Sequence, residues 1–135
     1  MNTNKNTTDM KDRKATLSTL WIFVMFNYIY ADLAPMIFNP AAQNGATRMT
    51  DGLLGFAVFI ESAIVMVLLS RVLMYRANRW ANIIAGVLHA AIISWSLFVG
   101  LPPAYYIFSA TIIIACTLFI VWYAWTWPNP ENQSQ

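Results

Sequence analysis

Long apolar stretches separated by short polar breaks run the length of this chain, and the length of each stretch is the first structural clue. Leu17 to Phe38 gives 22 mostly apolar residues. At about 1.5 Å rise per residue, a helix of that length covers the roughly 30 Å hydrocarbon core of a bilayer. Three more such stretches follow, at about residues 53–74, 80–100 and 104–127. Asp51 stands where it would cap the second helix, Tyr75 to Arg79 reads as a short basic turn, and Pro102 and Pro103 break the third helix from the fourth. Pro35 is placed to bend the last turn of the first helix. The predicted fold is therefore all-α, a four-helix transmembrane bundle whose short connections make neighbouring helices antiparallel.

On this reading, residues 1–16 form a flexible polar tail, 17–127 the four-helix membrane domain, and 128–135 a second polar end. A secretory signal peptide is the competing reading of the basic-then-apolar start. A signal's apolar core spans only about 7 to 15 residues, whereas this one is longer and carries Asn27 and Asp32, which favours a retained helix.

Composition agrees with a membrane solvent. Of 135 residues, 59% are hydrophobic and only 10% charged, against roughly 25% charged in an ordinary soluble domain. The aromatic run Trp122, Tyr123, Trp125 and Trp127 has the character of an interfacial belt. The basic residues flank apolar segments and form no continuous stripe, so lipid phosphates are the expected partners and nucleic acid is not. Lys5, Lys11, Arg13, Lys14, Arg71, Arg76 and Arg79 fall on one side of the predicted bundle and only Arg48 on the other. By the positive-inside rule this places both termini in the cytoplasm, in a bacterial inner membrane.

Polar residues inside the apolar stretches are the candidate functional groups, because an ionisable side chain at mid-bilayer is costly. The turn between the second and third helices centres near Tyr75, so Glu61 and His89, each fourteen positions away, should share a level. The first connection centres near Asn44 or Gly45 and sets Asn27 opposite Glu61; the last sets His89 opposite Ala115, Cys116 or Thr117. Trp21, Met25, Tyr28 and Asp32 share one stripe of the first helix, and Asn82, Gly86, His89 and Ser96 one face of the third. The recurrence of Gly86, Ala90 and Ser94 adds a small-residue stripe on which a neighbouring helix can approach closely.

Glu61 and His89 are thus expected to pair, and burial disfavours both charged forms, so a neutral hydrogen-bonded pair competes with an ion pair. The pair is either a proton or ligand site with Asn27 beside it, or a plain tie between two helices. Asp32, more than one turn outward, is a further candidate, with Ser94, Tyr105, Ser109 or water to solvate it. Arg71, Arg76 and Arg79 read as topology signals and lipid contacts. Cys116, the single cysteine, allows no intrachain disulfide and reads as a packed thiol. One histidine rules out bis-histidine haem ligation within the chain, and no phosphate loop, nucleophile elbow or dinucleotide fingerprint occurs. Zinc would need Asp32, Glu61 and His89 to converge from different levels. No cofactor, metal or catalytic group is expected.

The segments LSTLWIFVMFNYIYAD (Leu17 to Asp32), SRVLMYRANRWANIIAG (Ser70 to Gly86) and WYAWTWPNP (Trp122 to Pro130) resemble those of an uncharacterised family of small bacterial four-helix membrane proteins, a domain of unknown function. The resemblance implies the fold and an inner-membrane location and no activity. In helix count and size alone the chain is similar to DoxX-like membrane proteins, some associated with quinone-linked sulfur oxidation, with no residue motif in common. Small multidrug transporters also have four helices and a membrane glutamate, but in their first helix and not, as here, in the second. The leading expectation is a binding or transport module for a proton or a small apolar or cationic ligand. The alternatives are a non-catalytic subunit or scaffold whose small-residue stripe docks a larger membrane partner, and a quinone-linked redox protein; beyond lipid, the expected partners are a second copy of the chain or another membrane protein.

Overall fold

The computed structural model describes residues 2–38, 50–99 and 102–128, with side chains from Thr7 in the first segment and Leu54 in the second. Four helices make up the described chain: α1 Asn2–Phe38, α2 Thr50–Val72, α3 Tyr75–Ser96 and α4 Ala104–Trp125. All four expected helices are present and pack as an all-α bundle. Each of α1 and α3 packs between α2 and α4, and α2 and α3 are the loosest neighbours. The first connection with Asn44 and Gly45, Arg48, the chain beyond Pro128, and the side chains of Lys5 and Asp51 lie outside the described residues.

Helix boundaries depart from expectation in informative ways. Residues 2–16, expected as a tail, continue α1 as helix; they hold no Gly or Pro, so nothing in them stops a helix that the apolar half propagates. The other end of α1 is at Phe38 as expected, with Pro35 inside its last turn. Tyr75 to Arg79, expected as a turn, form the first turn of α3, and only Leu73 and Met74 connect it to α2. Met74 takes the extended backbone of an N-cap, and its carbonyl accepts from Asn78 N–H at 2.8 Å. At the other end α3 stops at Ser96, four residues short of Gly100, and Pro103 caps the start of α4.

The partition of side chains is inverted relative to a soluble protein. Phe23, Phe26, Leu33, Leu54, Leu68, Phe108 and Leu118 are exposed, whereas Ser18, Ser70, Asn78, Asn82, His89, Ser109 and Thr117 are buried. Such a surface is stable only in an apolar solvent. Three helices (α1, α2 and α4) are long and apolar enough to cross a membrane. The 22-residue α3 has the length, but its polar residues lower its hydropathy. Of those residues Asn78, Asn82 and His89 are turned inward, and Ile84, Val87, Leu88 and Ile92 are turned out. The chain is a multi-pass membrane protein by this architecture.

The core follows the alternating three-and-four spacing of interlocked helices: Leu17, Trp21, Val24 and Tyr28 on α1, Ala63 and Met66 on α2, Ile83 and Ile93 on α3, and Ile113, Cys116, Ile120 and Ala124 on α4. Cys116 is a packed thiol whose S–H points to the Leu20 carbonyl at 3.8 Å. Arg13 and Arg79 close the C-terminal end of α4, donating to the Tyr123 carbonyl at 3.5 Å and the Trp125 carbonyl at 3.0 Å, with each guanidinium over the aromatic ring of the residue it meets. A cation there satisfies carbonyls that the helix leaves open and complements its dipole.

Gly86 sets the approach of α3 to α4. A Cβ built on it would lie 2.6 Å from Val121 Cγ2 and 3.1 Å from the Thr117 carbonyl oxygen, while a Cβ on Gly55 would meet nothing within 4 Å. Val121 is β-branched and stiff, and a backbone oxygen cannot turn aside. Alanine gains about 1 kcal/mol of helix propensity over glycine, and overpacking costs about 1–3 kcal/mol. Gly86→Ala is expected to lower the thermal midpoint of the detergent-solubilised protein, and Gly55→Ala to leave it unchanged or raise it. Equal midpoints for the two variants would refute the close approach.

Candidate functional site

Two polar junctions bridge the interior, both between the parallel helices α1 and α3 and both completed by α2. The junction nearer the basic end centres on Asn82. Its Oδ1 accepts from Trp21 Nε1 at 2.7 Å and from Ser70 Oγ at 3.1 Å, and its Nδ2 donates to Asn78 Oδ1 at 2.6 Å and to the Asn78 carbonyl at 2.9 Å. Asn78 Nδ2 in turn donates to the Ser70 carbonyl at 2.6 Å. All four hydrogen-bonding positions of the Asn82 amide are used. Beside it Arg71 Nε donates to Ser18 Oγ at 3.0 Å, and Ser18 donates to the Val67 carbonyl at 3.0 Å. This junction is saturated and acts as a tie.

Two turns further along, the second junction centres on His89, which is 2% exposed. Its Nδ1 lies 2.8 Å from Tyr28 Oη and its Nε2 2.9 Å from Ser62 Oγ. Ser62 spends its one hydrogen on the Phe59 carbonyl at 2.6 Å, so toward His89 it can only accept. The ring proton therefore sits on Nε2, and Tyr28 donates its own hydrogen to Nδ1. The result is a directed chain in which Tyr28 O–H points to Nδ1, Nε2–H points to Ser62, and Ser62 O–H points to a carbonyl. Aromatic rings hold the imidazole in place: Phe59 stacks on it at 4.3 Å between centroids, and Trp21 meets it edge-on at 5.1 Å.

The expected Glu61–His89 pair is not made. Both ring nitrogens are taken by hydroxyls, and Glu61, at the expected level, is rotated to the exposed side of α2. The two residues nonetheless meet one space. Where α2 and α3 pack loosely, a groove of about 560 Å³ opens, lined by Phe59, Val65, Leu69, Ile84 and Leu88 among others, with Glu61, Ser62 and His89 as its polar members. Asn27 does not join them; it donates back to the Phe23 carbonyl of its own helix at 2.9 Å. Asp32 lines a separate pocket of about 60 Å³ with Tyr28, Phe56, Tyr106 and Ser109. Of its expected neighbours Ser109 is there, and the tyrosine is Tyr106 in place of Tyr105. Gly86 and Ala90 of the small-residue stripe are buried, with Gly86 against α4, so that stripe is spent within the chain. Among the described residues no three of His, Cys, Asp or Glu converge to form a metal-ligand set.

Sequence reasoning missed Tyr28 and Ser62 as the partners of His89. One signal was present: Trp21 with Asn82, and Tyr28 with His89, are both 61 residues apart. Each polar pair recurs after a heptad, which is what parallel helices in register produce.

The chain belongs to a family of unknown function, DUF6326. The family model matches residues 6–134, nearly the whole chain. No curated protein and no solved structure matches it. Membership carries no activity, so function rests on the two junctions and the spaces beside them.

His89 is the one histidine of the chain, so histidine labelling reports it alone. In ¹⁵N-histidine protein reconstituted in lipid, the ring is expected to show a single tautomer protonated at Nε2. A proton on Nδ1 would overturn the direction of the chain.

Proposed function

We propose that this protein binds a hydrophobic cation from the bilayer, seating its apolar body in the groove between α2 and α3 and its charge against Glu61. The observation that carries this reading is the position of the carboxyl. Glu61 stands in the middle of a 23-residue apolar helix, on the wall of a groove that is otherwise apolar except for Ser62 and His89. A lone carboxylate at that depth costs roughly 2.5 to 3.5 kcal/mol by insertion scales, and no described side chain neutralises it. A guest with a cationic or proton-donating head and an apolar body removes that cost and fills the groove. Its volume falls within the roughly 300–1,000 Å³ of small-molecule sites.

The orientation we propose puts both termini in the cytoplasm of a bacterial inner membrane. Lys11, Arg13, Lys14, Arg71, Arg76 and Arg79 gather at the end of the bundle where α1 and α3 begin their apolar halves and α2 and α4 finish, which supports this reading. The groove then opens sideways to lipid at mid-depth, the direction from which a lipid-soluble guest arrives.

Tetraphenylphosphonium, a permanent lipophilic cation, is a direct probe. Purified protein in nanodiscs is expected to bind it saturably at one per chain, and Glu61→Gln to weaken binding tenfold or more, about 1.4 kcal/mol. Ala85→Trp, which fills the groove without touching the carboxyl, is expected to weaken it comparably. Binding indifferent to both substitutions would refute the site.

A further inference from the structure

The small pocket at Asp32 carries an unsatisfied group. Ser109 is 1% exposed, and its Oγ is, among the described residues, a buried side-chain oxygen with no hydrogen-bond partner. It does not fold back on its own helix, as Thr111 and Thr117 do by donating to the carbonyls of Ile107 and Ile113. Its side chain lines the pocket.

The remaining polar groups of that pocket are acceptors. Ser96 spends its hydrogen on the Ile93 carbonyl at 2.7 Å, so in its 2.7 Å bond with Tyr106 it accepts and the phenol donates. Tyr28 likewise spends its hydrogen on His89 Nδ1. Both phenolic oxygens thus retain only lone pairs, and Asp32 adds a carboxylate. Three acceptors and one hydroxyl in a space of about 60 Å³ suit a guest rich in donors and the size of one or two water molecules.

We infer that the Asp32 pocket holds water and takes up a proton, and that Tyr28, His89 and Ser62 carry that proton through the bundle to Glu61 in the groove. Tyr28 is the link, since it lines the pocket and also holds His89. A proton arriving on the Tyr28 oxygen releases the phenolic proton to Nδ1, and the Nε2 proton passes to Ser62 Oγ. Ser62 then turns its own proton from the Phe59 carbonyl into the groove that it lines together with Glu61, whose carboxylate takes it up. One proton enters and one leaves; Tyr28 and Ser62 end as they began, and the imidazole ends neutral with its proton on Nδ1. With the ring turned so that Nε2 faces Tyr28 and Nδ1–H faces Ser62, a second proton enters at Nε2 and the first leaves from Nδ1, which restores the starting tautomer. The titratable groups along the path are Asp32 and Tyr28 on α1, Glu61 on α2, His89 on α3 and Tyr106 on α4. Because the relay ends on the carboxyl that meets the lipophilic cation in the reading above, the two guests compete for Glu61.

The test is proton flux into proteoliposomes containing a pH-sensitive dye, driven by a potassium diffusion potential, with and without tetraphenylphosphonium. Wild type is expected to conduct above protein-free liposomes, tetraphenylphosphonium to inhibit, and Asp32→Asn and Tyr28→Phe each to reduce flux at least tenfold. The ¹⁵N-histidine spectrum of Asp32→Asn should retain the wild-type tautomer, which separates a lost proton path from a lost fold. Ser109→Ala should not raise the thermal midpoint, because its hydroxyl is hydrated; a raised midpoint would mean a dry pocket and overturn the inference. So would flux at the protein-free level, flux unchanged in Asp32→Asn, or a current carried by sodium instead of protons. Tetraphenylphosphonium binding without any flux would sink the relay and leave the groove reading standing.

Discussion

Lipid offers no hydrogen bonds, and that single constraint organises this bundle. Each polar side chain within an apolar helix must find a partner inside the protein or remain a local cost. Asn78, Asn82, Ser18, Ser70, Thr117 and His89 solve the problem by turning inward, while Phe, Leu and Ile side chains cover the outside. The same constraint explains why α3 looks least like a membrane helix by composition and still packs between α2 and α4. Its buried Asn78, Asn82 and His89 each find a partner on α1 or α2.

Counting satisfied positions separates structure from candidate function. At Asn82 every donor and acceptor of the amide is used within the protein, so a ligand could bind there only by breaking bonds already made. At His89 the ring is satisfied but its chain of hydroxyls ends beside two unsettled groups, Glu61 on the groove and Ser109 on the small pocket. Interhelical polar contacts in membranes average only about 0.6 kcal/mol, so a second junction adds little stability beyond the first. What distinguishes it is connection: the imidazole lines the groove, and the Tyr28 that holds it lines the small pocket.

The fold was legible because bilayer thickness converts directly into helix length, and four apolar stretches with Pro, Asn and Arg between them leave few alternatives. Depth was legible for the same reason, and Glu61, Ser62 and His89 do share a level. Rotation was not. A shift of one residue on α2 turns the side chain by about 100°, which is the difference between Glu61 and Ser62: the carboxyl faces the groove, and the hydroxyl takes the imidazole. Symmetric counting about each turn also compares only helices adjacent in sequence, and so misses Tyr28, which reaches His89 between parallel helices. The helical start from Asn2 was hidden because its polar composition describes a segment unable to fold alone, and α1 does not ask it to.

The exposure of Glu61 is the step on which the proposed function turns. Had the carboxyl met His89 as expected, the two groups would have satisfied each other, and the groove would have been an apolar cleft with nothing to select its guest. Because Tyr28 and Ser62 occupy the imidazole instead, the carboxyl is left to whatever enters from the lipid. The histidine is at the same time freed from neutralising it, and its two nitrogens are aligned with hydroxyls that can pass a proton on. An acid and an imidazole at one depth but one residue out of phase therefore do more than a closed ion pair could, since the carboxyl stays open to the groove while the imidazole is held between two hydroxyls.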